Sequence, residues 1–99
     1  MTNQKNYISH SVNEKLLAEA ITKVQTIQEA LNLLRDLLTP KELEEFGRRI
    51  AIAQLLYTTN LSYIEIAKKM KTSTTTVTRV ALWLKNGCGG YNSVLQLLK

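Results

Sequence analysis

Residues 62–86 read SYIEIAKKMKTSTTTVTRVALWLKN, and the way this stretch folds decides how the rest of the chain is understood. Ser62-Tyr63-Ile64-Glu65 has the spacing of a capping box: the serine hydroxyl can accept a first-turn N–H while the glutamate reaches back to the cap. A short helix is predicted from there to Met70. Lys71-Thr72-Ser73 forms the connecting turn, and Ser73 caps a second helix running from Thr74 to about Lys85, which Asn86-Gly87 ends. Ile64, Ala67 and Met70 are assigned to the core face of the first helix, and Val77, Ala81 and Leu84 to that of the second. Ala67 is small where the two helices must cross closely. Two short helices joined by a three-residue turn form a helix-turn-helix pattern.

This assignment leaves Thr74, Thr75, Thr76 and Thr78 near the exposed N-terminal end of the second helix. In helix-turn-helix motifs that end enters the major groove of DNA. Threonine suits the place, because its hydroxyl can donate or accept at a base edge and its methyl can touch a thymine methyl. A helix start also offers free N–H groups to phosphate, and this one carries no acid in its first turn. Lys68, Lys69, Lys71, Arg79 and Lys85 flank it. The alternative is that the threonines only cap and cover a surface helix. Threonine is a poor helix former, so such a cluster lowers stability without a return unless it makes contacts.

The charge distribution points the same way. The 99-residue chain has net charge +5, but residues 1–65 hold seven basic and all eight acidic groups, a balance of −1. Residues 66–99 hold six basic groups and no acid, a balance of +6. An acid-free basic third is the footprint of a polyanion-binding surface, although a solvated lysine face would have the same composition.

Outward from the motif, Thr58-Thr59-Asn60 is a short loop, and Thr39-Pro40-Lys41-Glu42 is a strong helix start. The helix it opens runs from Pro40 to about Tyr57. Its first half carries one apolar stripe (Leu43, Phe46, Ile50), whereas Ile50 to Tyr57 is apolar almost all round. Such a helix must be covered on every side, which a short chain hardly manages alone. It is therefore predicted as the central helix of an intertwined dimer, the alternative being a well-covered core helix in a monomer. Upstream, Val12, Leu16, Ala20 and Val24 form one helical stripe, and Ile27, Ala30, Leu31, Leu34, Leu37 and Leu38 form another. The break between them near Thr26 is weakly marked, so one longer helix is the alternative. Residues 1–9 are polar and aperiodic and are expected to be a loose arm. Gly89-Gly90 lets the chain turn into a last amphipathic helix, Tyr91–Lys99. The expected organisation is one domain: arm 1–9, dimerisation helices 10–58, helix-turn-helix 62–86 and C-terminal helix 91–99.

Several function classes find no support. No apolar run reaches the roughly 18 residues of a membrane span, and the N-terminus lacks a signal-peptide pattern, so a cytoplasmic protein is expected. The single cysteine, Cys88, can form no internal disulfide. His10 has no partner at ligand spacing, so no metal site is supported; no cofactor is called for, and enzymatic activity has no basis. Glu42, Glu44 and Glu45 are an acidic first turn favoured by the helix dipole.

The stretch from Leu38 to Lys85 resembles the Trp repressor family. The resemblance rests on Leu38-Thr39-Pro40-x-Glu42, Gly47-x-Arg49, Leu61-Ser62-x-x-Glu65-Ile66 and Thr76-Val77-Thr78-Arg79. It implies an all-α, six-helix intertwined dimer with a helix-turn-helix. It also implies that Thr74, Thr75, Thr76 and Thr78 face bases, directly or through water, with Tyr63 and Ala67 near the DNA. In that family two arginines sandwich the indole of the corepressor tryptophan; here they match Arg49 and Arg79, with Leu38 and Thr39 at the mouth from the partner subunit. This chain departs from the family at Val80, where the repressor has glycine, and at Trp83, where it has serine. Both add bulk where free tryptophan needs room, so the indole slot is expected to be closed, with Trp83 as a candidate plug.

The sequence thus predicts a homodimer that binds a pseudo-palindromic double-stranded DNA site, with half-sites about one helical turn apart, as a transcriptional regulator and repressor. Any small-molecule effector is left unidentified. The rival functions are a helical dimer serving as a protein-interaction scaffold and a sequence-blind DNA binder.

Overall fold

The computed structural model describes residues 6–98, and each of the first five helices opens on a hydroxyl side chain. The helices are α1 (Val12–Thr22), α2 (Ile27–Leu37), α3 (Pro40–Thr58), α4 (Tyr63–Met70), α5 (Thr74–Asn86) and α6 (Gly90–Leu97). No strand occurs among the described residues. Ser11, Thr26, Thr39, Ser62 and Ser73 each accept the backbone N–H of the residue three positions on, at 3.1–3.2 Å. Each such cap satisfies one of the N–H groups that a helix start leaves without an internal partner. At Thr39 and Ser62 the box is complete, because Glu42 and Glu65 accept the cap residue's own N–H at 2.9 and 2.8 Å. Thr26 also resolves the alternative near residue 26. Its backbone is extended (φ −129°, ψ 160°), so α1 and α2 are separate helices.

The described residues fall into two compact units where one domain was expected, Tyr7–Glu45 and Phe46 onward. In the first, neither α1 nor α2 buries a single residue. Val12 and Ile27 are 83% and 82% exposed, and Leu16, Ile21, Leu31 and Leu37 are each more than half exposed. From Tyr7 on, the expected loose arm is fastened. The Tyr7 hydroxyl donates to the Glu14 carboxylate at 2.8 Å, the His10 N–H donates to the same oxygen at 3.1 Å, and the two rings meet edge-on. Met1–Lys5 and Lys99, parts of the expected arm and last helix, lie outside the described residues.

The second unit holds the core. Ile52 and Ala53 of α3, Ile66 and Ala67 of α4, Val77 and Val80 of α5 and Leu95 of α6 form one buried cluster, with Leu55, Tyr57, Tyr63, Met70 and Leu84 packed around it. The second half of α3 is covered along one side, while Ile50 remains 40% exposed. The core assignment of Ile64 is corrected: it is 61% exposed, and Ile66 is buried instead. Tyr63, Ile66, Ala67 and Met70 repeat at the i, i+3, i+4, i+7 spacing of one helix face, and Ile64 falls outside that arc. The end of α5 depends on a close approach. A Cβ at Gly87 would stand 2.4 Å from the Trp83 carbonyl oxygen. Gly89, at φ 83°, turns the chain into α6, and the Asn92 amide donates to the Leu84 carbonyl at 3.2 Å to hold α6 against the end of α5.

Candidate nucleic-acid interface

The helix pair predicted over 62–86 is present as α4 and α5, which pack directly on each other. The turn between them closes in the manner of a helix C-cap. The Thr72 N–H donates to the Ala67 carbonyl at 2.9 Å, and the Lys71 N–H donates to the Lys68 carbonyl at 3.2 Å. These bonds fix where α5 begins relative to α4, so the start of α5 is presented on a rigid support rather than on a loop.

The start of α5 differs from the four helix starts before it. Glu14, Glu29, Glu42 and Glu65 stand in the first turns of α1 to α4, and the first turn of α5 has no acid. Near its unpaired N–H groups the helix dipole carries a partial positive charge, and here no local carboxylate offsets it. Residues 66–98 contain no acid at all. Lys68, Lys69, Lys71, Arg79 and Lys85 are all exposed, so the predicted basic set is available at the surface.

The four threonines separate into distinct roles. Thr76 is half-buried; its N–H donates to Ser73 Oγ and its hydroxyl lies 3.1 Å from the same oxygen, so it belongs to the cap. Thr78 is exposed, and its hydroxyl donates to the Thr74 carbonyl at 2.8 Å, which leaves its oxygen as an acceptor. Thr74 and Thr75 are exposed. Between them in sequence, Val77 points the other way and is fully buried. Of the two α4 residues expected near DNA, Tyr63 is half-buried against the core, and Ala67 is only 5% exposed. The Ala67 methyl packs inward because its helix face is the one that meets the core, so its side chain offers nothing to a base.

The residues expected around an indole slot also separate. Arg49 and Arg79 are exposed, and the Arg49 guanidinium lies 5.2 Å from the centre of the Phe46 ring, within cation–π range. Val80 does not add bulk at the surface; it is buried in the core cluster. Trp83 does, being 60% exposed one helical turn beyond Arg79. Leu38 and Thr39 lie in the first unit, where Leu38 accepts from the Arg35 guanidinium at 3.0 Å and Thr39 caps α3.

One feature was not legible in the sequence. Ile50, Trp83, Gly87, Cys88, Tyr91, Val94 and Leu95 line an apolar cleft of about 440 Å³ in the second unit. It forms where three helices meet, and no local spacing announces it. Cys88, a free and exposed thiol, stands at this cleft. Among the described residues no helix is long and apolar enough to cross a membrane, and no group of three His, Cys, Asp or Glu residues is placed to hold a metal ion.

Comparison with known proteins agrees with this geometry. The family model for the Trp repressor protein matches residues 13–99. A solved structure, that of a TrpR like protein from Eubacterium eligens ATCC 27750, superposes with a TM-score of 0.82 at 29% sequence identity, covering 90% of this chain and 91% of that one. No curated protein gives a significant match. With the family model spanning all but the first twelve residues, and with a related structure superposing over nine-tenths of the chain, the chain belongs to the Trp repressor family of DNA-binding helix-turn-helix transcription regulators.

Proposed function

We propose that the protein is a sequence-specific repressor that binds double-stranded DNA as a homodimer and does not use tryptophan as corepressor. The observation that carries this is the start of α5: three exposed threonines on a Ser73-capped, acid-free helix end, flanked by exposed lysines and arginine. Thr74, Thr75 and Thr78 read base edges, Thr76 holds the cap, and Lys68, Lys69, Lys71, Arg79 and Lys85 engage phosphates. Tyr63 adds its exposed edge.

Dimerisation is supported by the apolar surface a single chain leaves uncovered. Two helices without a buried residue, and an open apolar cleft, leave apolar side chains uncovered that a partner subunit would bury. A two-fold dimer then carries two copies of α5 and selects a pseudo-palindromic site with half-sites about one helical turn apart. Tryptophan independence is supported by Trp83, a bulky and exposed indole one helical turn beyond Arg79 at a position where the family has serine. A cytoplasmic protein meeting the chromosome fits these properties.

The test is selection from a random duplex pool at near-physiological salt without added ligand. An enriched palindrome is the expected result. Retention of duplex without enrichment would support sequence-blind binding, and no retention would support the scaffold function.

A further inference from the structure

Thr75, Thr78, Arg79 and Leu82 repeat at the i, i+3, i+4, i+7 spacing of one helix face, and all four are exposed. Val77, Val80 and Ala81 on the opposite face of α5 are buried. Leu82 is 53% exposed and takes no part in the core cluster, whereas Trp83 beside it lines the cleft. A single exposed leucine is ordinary on a protein surface; what distinguishes this one is its surroundings. Arg79 and Lys85, three residues before and after it, are exposed, and residues 66–98 contain no acid. An apolar side chain framed by unopposed cations matches a polyanion that carries apolar groups between its charges. Helical side chains lean toward the N-terminus, so Leu82 covers the turn that holds Thr78 and Arg79. In that turn the Thr78 hydroxyl donates its proton to the Thr74 carbonyl at 2.8 Å, which leaves a methyl group and an acceptor oxygen for a base.

We propose that Leu82 is a specificity-determining residue of the α5 reading face, packing against the 5-methyl group of a thymine in the major groove. Among the base-edge groups displayed there, the thymine methyl is the apolar one. That role presupposes the DNA-reading function proposed above and adds a base to it, a thymine in each half-site. The competing occupant is a protein surface, a second copy of the chain included, which would cover the same leucine whatever the base.

The experiment starts from the site that wild type enriches from a random duplex pool. Its thymines are replaced by deoxyuridine, one symmetric pair at a time, which removes the methyl group and leaves the pairing edge intact. Anisotropy then reads binding by wild type, Leu82→Ala and Leu82→Met. At one pair of positions uracil should weaken wild-type binding about fourfold per half-site and about fifteenfold in all, the transfer energy of one methyl group at each. Leu82→Ala should bind the thymine site as weakly as wild type binds the uracil site, and should no longer distinguish the two. Leu82→Met keeps an apolar chain of similar reach and should still distinguish them. Urea unfolding of both variants should match wild type, because the side chain lies outside the core. Wild-type binding that no uracil weakens, or a Leu82→Ala protein that keeps the wild-type response to uracil, overturns the proposal and leaves the function beneath it standing. A Leu82→Ala protein that no longer dimerises in sedimentation equilibrium also overturns it, by assigning the leucine to a subunit contact. A wild type that enriches no site overturns both this proposal and sequence-specific reading itself.

Discussion

Replacing Thr75 and Thr78 together by alanine separates reading of DNA from stability of the fold. Both side chains are exposed, and among the described residues the one hydrogen bond that either makes runs from the Thr78 hydroxyl to the Thr74 carbonyl of its own helix. Alanine exceeds threonine in helix propensity by roughly 0.6 kcal/mol per residue, so the double variant should be as stable as wild type or more stable by about 1 kcal/mol. Binding should respond in the opposite direction. At about 1 kcal/mol net per lost hydrogen bond, two contacts per half-site and two half-sites amount to about 4 kcal/mol, on the order of a thousandfold. Lysine contacts to phosphate are untouched, so affinity for a scrambled duplex should stay near wild type. Val77, between the two threonines, supplies the internal contrast. It is fully buried, so Val77→Ala should cost about 2 kcal/mol of stability through lost transfer energy and an unfilled cavity. Fluorescence anisotropy against the selected and scrambled duplexes, with urea unfolding of each variant, reads all these quantities. A stable double variant that binds the selected site within about threefold of wild type would refute the assignment of these threonines to base reading and favour the scaffold.

Three further outcomes are expected. Hydrogen bonds from the Ser62 backbone first, and its hydroxyl second, hold the Glu65 carboxyl below the usual carboxylate range, and Thr39 does the same for Glu42. A carboxyl depressed in the folded state adds stability above its unfolded pKa and loses it as the pH falls through the folded one; the acid side of the stability profile should therefore flatten in Glu65→Gln, by urea midpoints from neutral pH down to about pH 3. Sedimentation equilibrium should show a dimer for wild type, and Leu16→Glu with Leu31→Glu should shift it to monomer while α4–α5 DNA contacts persist weakly; a monomeric wild type would remove the dimer from the proposed function. Isothermal titration with L-tryptophan should give no binding heat, and Trp83→Ser should create a site; tight binding by wild type would show the indole slot to be open.

The parts of this protein that could be read from the chain alone are those built from residues close in sequence. Capping boxes at Thr39/Glu42 and Ser62/Glu65, the Ser73 cap, and the helix pair with its three-residue turn all rest on hydrogen bonds between residues no more than five apart. Spacing therefore carries them. The division of charge between the first 65 residues and the rest is likewise a property of the chain itself. Even the family could be recognised there, because its motifs fall on these same local features.

Burial was another matter. Tyr63, Ile64 and Ile66 crowd one short helix, and periodicity alone is satisfied by more than one choice of inner face. The choice was made by where α3, α5 and α6 stand, which buried Ile66 and left Ile64 out. The same packing turned Val80 inward and left Trp83 outward on α5, so two bulky departures from the family that look alike in the sequence have opposite surroundings. It also separated the cap threonine from the exposed ones, and assembled a cleft from three helices. Hydrogen bonds of the backbone close locally and are written in local spacing. Which arc of a helix meets a neighbour depends on contacts between residues far apart in the chain, so the helix-turn-helix and its charge belonged to the sequence, and the surface it presents was decided by the tertiary structure.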